Sequence, residues 1–168
     1  MVGRFRIEPL ASTHKHKPLE SGSALLDRYF REQAAQDVRR RIATCFVAVE
    51  IATEAVAGYY TLAATSLVLD ALAPNLARKL PRYPIVPAVL LGRLAVVAAY
   101  QRQGLGSALL ANALRRAAAA ELGVYAMVVD AKDDAARRFY EHYGFALLPG
   151  YASKLVLPIA TALKFLPR

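Results

Sequence analysis

Cysteine is nearly absent from this chain: Cys45 is the single one in 168 residues. A lone thiol excludes a disulfide scaffold and a cysteine-rich zinc site. Histidine is scarce too, and His14, His16 and His142 form no closely spaced set with a cysteine, so no metal is expected. Tryptophan is missing altogether, yet nine tyrosines and a 56% hydrophobic composition place the chain well away from disorder. The alanine-rich stretches are broken by Arg115, Arg116 and Glu121, which argues against a membrane span. No basic segment leads into a signal-like apolar run, so a cytoplasmic location is the expectation. Repeats and compositional linkers are lacking as well, and one domain over residues 1–168 is the simplest organisation.

Acid is in short supply. Thirteen Asp and Glu stand against 22 Lys and Arg, a formal charge of +9. The basic residues gather at Arg39-Arg40-Arg41, at Arg78-Lys79 with Arg82, at Arg115-Arg116 and at Arg137-Arg138. Such a surplus promotes phosphate contacts with a polyanion. It also reads as plain solubilising charge, and composition leaves both open.

What is present follows a mixed order of helices and strands. VGRFRIEPL is a short extended segment stopped near Pro9. Ser21-Gly22-Ser23 reads as a helix start before ALLDRYF, and REQAAQDVRRRIAT has helical composition with Ala34, Ala35, Val38 and Ile42 as its inward stripe. Residues 23–44 thus form a helical region. CFVAVE and AVAGYYTLAATSLVL read as strands around a turn at Thr53-Glu54, with Gly58 marking a bulge or a close backbone approach. Asp70 precedes a short helix containing Pro74, and two prolines make residues 80–84 irregular. AVLLGRLAVV is a central strand, apolar enough to be covered on both faces. A helix from Leu105 buries Leu109, Leu110, Ala113, Leu114 and Ala117, with Gly123 as its C-terminal stop. VYAMVVDAK is a further strand, DDAARRFYEHYGF a helix capped at Asp133 or Asp134 and ended by Gly144, and FALLP and ASKLVLP are closing strands. The fold class is α/β (mixed α+β). Glu8, Asp27, Asp37 and Asp70 read most economically as caps or surface charges.

The organising stretch runs from Leu91 to Gly106, an apolar strand ending in a tight glycine turn that opens the helix. Converging backbone N–H groups with a helix dipole behind them suit an anion. Gly104 and Gly106 allow close approach or positive φ. No GK[ST] follows, so this is not a Walker loop. No ribose-binding acid follows a second glycine turn, which weighs against a dinucleotide. The turn either cradles a phosphate-bearing molecule or merely ends a strand.

Gln101-Arg102-Gln103-Gly104-Leu105-Gly106 resembles the pyrophosphate-binding signature Q/R-x-x-G-x-G/A of the GCN5-related N-acetyltransferases. The likeness widens to nearly the whole chain. LLDRYFREQAAQDVRRR, VAGYYTLAA, KLPRYPIVPAVLLGRLAV, QRQGLGSALLANALRR and VDAKDDAARRFYEHYGF together resemble the toxin enzymes of bacterial toxin–antitoxin pairs. That resemblance implies a central, mostly antiparallel sheet flanked by helices with a cleft for acetyl-coenzyme A, and it puts the helical region of residues 23–44 on the substrate side. It further implies transfer of acetyl to the α-amino group of aminoacyl-tRNA, which blocks translation. A ribbon-helix-helix antitoxin, operator DNA reached through that antitoxin, and a homodimer are the partners implied.

Residue by residue, the resemblance points to Gln101, Arg102, Gln103, Gly104, Leu105, Gly106 and Ser107 at the pyrophosphate. Leu94, Ala95 and Val96 fall where backbone pairs with the coenzyme's amide arm, one N–H near Ala95 or Val96 serving as oxyanion donor. Lys132 is a candidate phosphate contact. Tyr140 matches the tyrosine assigned as general acid; a phenol with a reference pKa of about 10 suits a proton donor to the departing thiolate. From bare sequence Tyr140 reads as packing beside Phe139 and Tyr143. Arg93, in an apolar strand, needs a paired acid or an exit to the substrate cleft. Arg78, Lys79 and Arg82 are candidates for an RNA-facing patch that Arg39 and Arg40 extend. No side chain declares itself a general base. An α-amine with a reference pKa of about 7.7 to 8.0 tolerates that gap better than a lysine.

Two departures from the family pattern stand out. An acidic residue is often seen before the glycine turn, where this chain has Val97-Ala98-Ala99-Tyr100, and Thr13 to Pro18 differs from the expected entry. Two other readings stay open: acetylation of a small amine or protein N-terminus, and a catalytically idle module that binds nucleic acid or an antitoxin.

Overall fold

A computed structural model describes residues 3–14, 16–68, 72, 74–78 and 83–166. Among the described residues seven strands stand in the order β1-β2-β3-β4-β5-β7-β6. They are β1 (Phe5–Pro9), β2 (Thr44–Glu50), β3 (Val56–Val68), β4 (Ile85–Val96), β5 (Ala126–Asp130), β6 (Ala146–Leu147) and β7 (Lys154–Pro158). The helices are α1 (Ala24–Glu32), α2 (Ala34–Arg39), α3 (Pro74–Ala77), α4 (Leu105–Ala118), α5 (Asp134–His142) and α6 (Ile159–Ala162). β4 and β5 pair in parallel, while β1·β2, β2·β3, β5·β7 and β6·β7 are antiparallel. The sheet is therefore mixed and mostly antiparallel, as the resemblance implied.

By their contacts the residues gather into two compact units. The first comprises residues 1–63 and 92–113, the second residues 64–91 and 114–168. In the first, α1 starts at Ser23, whose side chain accepts the Leu26 N–H at 3.4 Å, a cap worth about 1 kcal/mol. The Asp27 carboxylate holds the preceding turn by accepting from the Ser21 N–H at 3.1 Å. Tyr29, Phe30 and Ala34 pack with Val47, Val49, Tyr59 and Ala95 into one core. In the second unit Leu67, Val86, Ala88, Ala126, Val128 and Val156 make another. There Asp133 caps α5 by accepting from the Ala136 N–H at 2.8 Å, and Gly144 closes it at φ +96°.

Gly58 meets both of its expected descriptions. β2 and β3 shift register between Ala48 and Val49, opposite it, and a Cβ at Gly58 would lie 2.6 Å from the Ala95 carbonyl oxygen. Leu109, Leu110, Ala113, Leu114 and Ala117 are all buried on α4. Three expectations need correction. α4 ends at Ala118, so Gly123 lies in the following loop and is not its stop. Ile42 is 58% exposed because α2 has already ended at Arg39, removing it from the helical stripe. Asp37 is no surface charge: it is 6% exposed and tied to the core.

Candidate active site

In the first unit, β4 leads through a 3-10 turn over Ala98–Tyr100 into the glycine loop and α4. Arg102 (φ +62°) and Gly104 (φ +84°) both occupy the left-handed region, which reverses the chain tightly enough to start a helix. The Gly104 carbonyl accepts the Ala108 N–H at 3.1 Å, so α4 is hydrogen-bonded from its first turn. Helix geometry leaves the Leu105 and Gly106 N–H groups without intrahelical acceptors, at the positive end of a 14-residue dipole.

The two glutamines have other duties. Gln101 Nε2 donates to the Ser21 carbonyl at 2.8 Å and to the Val96 carbonyl at 2.9 Å. Gln103 Oε1 accepts from Arg4 at 2.6 Å, and its Nε2 donates to the Ala99 carbonyl at 3.2 Å. Their side chains brace the loop, and what they can offer an anion is backbone. The acid absent before the glycine turn is replaced from β2. Glu50 accepts from the Tyr100 hydroxyl at 3.1 Å and pairs with Arg4 at 3.1 Å, and Thr53 donates to it at 2.8 Å. These partners hold the Glu50 carboxyl below the usual carboxylate range, the Thr53 bond most strongly. Arg4 stacks over Phe5 and Tyr100. No local pattern marks Arg4, Glu50 or Tyr100 as loop support, since the ties cross up to 99 positions in sequence.

Leu94, Ala95 and Val96 form the last turns of the β4 pleat. β5 pairs with β4 only as far as Leu91↔Val129. The Val97 N–H donates to the Ala57 carbonyl at 2.8 Å, locking the strand end to β3. Ser107 sits half-buried in the first turn of α4.

Arg93 is half-buried, and the acid expected to pair with it is not there. Its guanidinium lies 3.5 Å from the centroid of the Tyr29 ring. The Tyr29 hydroxyl in turn donates to Asp37 Oδ2 at 2.7 Å. Among the described residues no carboxylate pairs with Arg93, so the buried ion pair considered from sequence is replaced by a cation–π stack. Burial, reinforced by the Asp37 bond and opposed by Arg93, pushes the Tyr29 phenol well above its ordinary pKa.

Around the same helices lie two concavities. One, about 240 Å³, is lined by Leu10, Ala11, Ser12, Phe30, Ala35, Val38 and Arg39. The other, about 420 Å³, is lined by His16, Lys17, Pro18 and Arg31, a cationic set that the runs of arginine in the sequence did not single out. Arg39 and Arg40 are exposed at the end of α2, and the exposed Arg41 turns the chain at φ +62°. In the unusual entry segment His14 is buried, its Nδ1 accepting the Ala11 N–H at 2.9 Å and its Nε2 facing Glu8 at 2.8 Å, while Thr13, His16 and Pro18 are exposed.

In the second unit, Tyr140 is 7% exposed on α5, edge-on to Phe139 at 5.2 Å and to Phe145 at 5.4 Å. Burial raises its phenol pKa, so it is a protonated donor at any ordinary pH. Lys132 is exposed between β5 and α5, and Arg78 is exposed just after α3, its N–H bonded to the Pro74 carbonyl at 3.1 Å. Lys79, Arg82 and Asp70 lie outside the described residues. His142 is exposed. No cluster of potential metal ligands occurs among the described residues, and none of their helices is long and apolar enough to cross a membrane.

Residues 41–147 match the family model described as an acetyltransferase (GNAT) domain. A tRNA-acetylating toxin of Mycobacterium tuberculosis (strain ATCC 25618 / H37Rv) is 40% identical over 131 residues, 77% of this chain and 76% of that protein. The crystal structure of a KacT mutant with tyrosine replaced by phenylalanine is similar at a TM-score of 0.87 and 26% identity, covering 96% of this chain and 98% of that one. AtaT complexed with acetyl-methionyl-tRNAfMet gives a TM-score of 0.86 at 26% identity, covering 95% and 98%.

Proposed function

The chain belongs to the GCN5-related N-acetyltransferase family, and on that premise we propose that it is a toxin that acetylates the α-amino group of aminoacyl-tRNA, using acetyl-coenzyme A, and so blocks translation. The observation that carries this reading is the likeness, over most of both chains, to a relative named for acetylating tRNA. The glycine loop supports it. A left-handed Gly104, a helix start, and glutamine side chains committed to bracing leave a cradle of backbone donors suited to a pyrophosphate.

When bound, acetyl-coenzyme A supplies an acyl group already activated as a thioester. In the proposal the N–H groups of Leu105 and Gly106 hold its pyrophosphate, with Gln101, Arg102, Gln103, Gly104 and Ser107 shaping that cradle. The backbone of Leu94, Ala95 and Val96 orients the amide arm, and a strand N–H near Ala95 or Val96 stabilises charge on the thioester oxygen. Lys132 contacts a cofactor phosphate. Tyr140 is the general acid; its buried, protonated phenol can give a proton to a thiolate and has no tendency to act as a base near neutral pH. Arg93, Arg39, Arg40, Arg78, Lys79 and Arg82 are the proposed RNA contacts, joined by Lys17 and Arg31. A ribbon-helix-helix antitoxin, operator DNA bound through it, and a homodimer complete the proposal, as does one domain spanning the chain.

The test is Tyr140→Phe against wild type on charged tRNA. The proposal expects kcat to fall about 10²-fold or more, within the range of general acid catalysis, while the affinity for acetyl-coenzyme A stays the same. Wild-type rate should rise with pH until the α-amine is neutral, near about 8. An unaltered kcat in the variant removes Tyr140 from the chemistry.

A further inference from the structure

We propose that Tyr29 and Asp37 are positioning residues that hold Arg93 as an anion clamp for a phosphate near the acylated end of the tRNA. This rests on the proposed function and deepens it. Three observations in the first unit carry it. The Arg93 guanidinium stacks on the Tyr29 ring at 3.5 Å, the Tyr29 hydroxyl donates to Asp37 at 2.7 Å, and both Tyr29 and Asp37 are buried.

A buried aspartate and a half-buried arginine close together would ordinarily pair directly, each satisfying the other. Here a tyrosine stands between them. The carboxylate takes the phenol O–H, which makes the ring face more electron-rich and a better seat for a cation. The guanidinium gives up one face to the ring and keeps its in-plane N–H edge. Among the described residues nothing accepts a hydrogen bond from that edge. A planar cation with one face fixed and its donor edge unclaimed suits bidentate recognition of a phosphate. Arg93 directly precedes Leu94, Ala95 and Val96, and the stack joins β4 to α1 and α2. Its setting therefore links the strand proposed for the cofactor to the helical region predicted for the substrate.

The experiment compares Arg93→Gln, Tyr29→Phe, Asp37→Asn and the double variant Tyr29→Phe with Arg93→Gln, by steady-state kinetics on charged tRNA and by thermal unfolding. Arg93→Gln should raise the KM for charged tRNA about tenfold or more, as expected when a charge-assisted hydrogen bond is removed. Tyr29→Phe keeps the ring and loses only the bond to Asp37. It and Asp37→Asn should each raise that KM several-fold with a smaller change in kcat. The double variant should be no worse than Arg93→Gln alone, because the relay acts only through the arginine. Variants that melt earlier yet keep the wild-type KM, or additive effects in the double variant, overturn the proposal. A rise confined to the KM for acetyl-coenzyme A also overturns it and assigns the clamp to a cofactor phosphate. Failure of the functional reading looks different: wild type itself leaves charged tRNA unmodified.

Discussion

Gly58→Ala puts one methyl group of β3 against the backbone of β4. An added Cβ would meet the Ala95 carbonyl oxygen at 2.6 Å, Leu109 Cδ1 at 3.1 Å and the Val96 Cα at 3.5 Å. Leu109 can yield, being the end of a flexible side chain; Ala95 and Val96 are backbone and cannot yield without moving the strand. Gly58 does not occupy the left-handed region, so the cost is steric and not torsional. Overpacking of this kind costs about 1–3 kcal/mol. Alanine recovers about 0.4–1 kcal/mol by restricting the unfolded chain. The net expectation is a loss of about 1–2 kcal/mol, a large share of a typical stability of about 5–15 kcal/mol. Urea unfolding should show a lower midpoint with an unchanged slope. Because the displaced carbonyl belongs to the proposed cofactor strand, affinity for acetyl-coenzyme A by calorimetry should fall in parallel. Gly123→Ala is the internal control, with nothing within 4 Å and no left-handed φ, and should be neutral or slightly stabilising. A Gly58→Ala protein as stable as wild type would refute the steric reasoning.

Replacing Lys17 and Arg31 with Gln should weaken tRNA binding and lower the slope of log K against log salt by about 1 for each phosphate no longer neutralised, read by fluorescence anisotropy across a salt series. Burial pushes the Cys45 thiol up to about 12, so alkylation at pH 8 should be negligible in the native protein and rapid in denaturant, measured by mass spectrometry. Glu50 has a folded pKa below its unfolded value, so its contribution to stability is full above about 4.5 and is lost as pH falls through the lower folded value. Glu50→Gln should therefore flatten the acid limb of stability against pH and weaken acetyl-coenzyme A binding by loosening the loop. An acid limb identical to wild type would remove Glu50 from both roles.

Local signals were readable along this chain because they depend on neighbours in sequence. Ser23 and Asp133 cap helices as their residue types predict, Gly104 and Gly144 take positive φ, and the apolar stripe of α4 is buried as its period requires. Helix ends and long-range pairings carry no such local signal. Ile42 continues the helical spacing of α2 in sequence, yet the chain leaves the helix three residues earlier, at Arg39. Asp37 looked like surface charge because the phenol that makes its burial tolerable comes from another helix. The glycine loop was visible as a motif, while its bracing was not: Arg4, Glu50 and Tyr100 come from separate segments, and no period or spacing connects them. Arg93 is conspicuous in the sequence as a charge in an apolar strand, but no local pattern announces the aromatic face that α1 lays against it.

The acceptor is what separates a tRNA-acetylating toxin from an acetyltransferase of small amines. Labelled acetyl-coenzyme A should be incubated with the protein and three acceptors: a mixed aminoacyl-tRNA pool, the same pool deacylated, and the free amino acids. Label is expected on charged tRNA alone, released as the N-acetyl aminoacyl group when the ester is hydrolysed. Label on the free amino acids with none on charged tRNA, from a protein that demonstrably binds acetyl-coenzyme A, would contradict that expectation and leave an acetyltransferase of small amines.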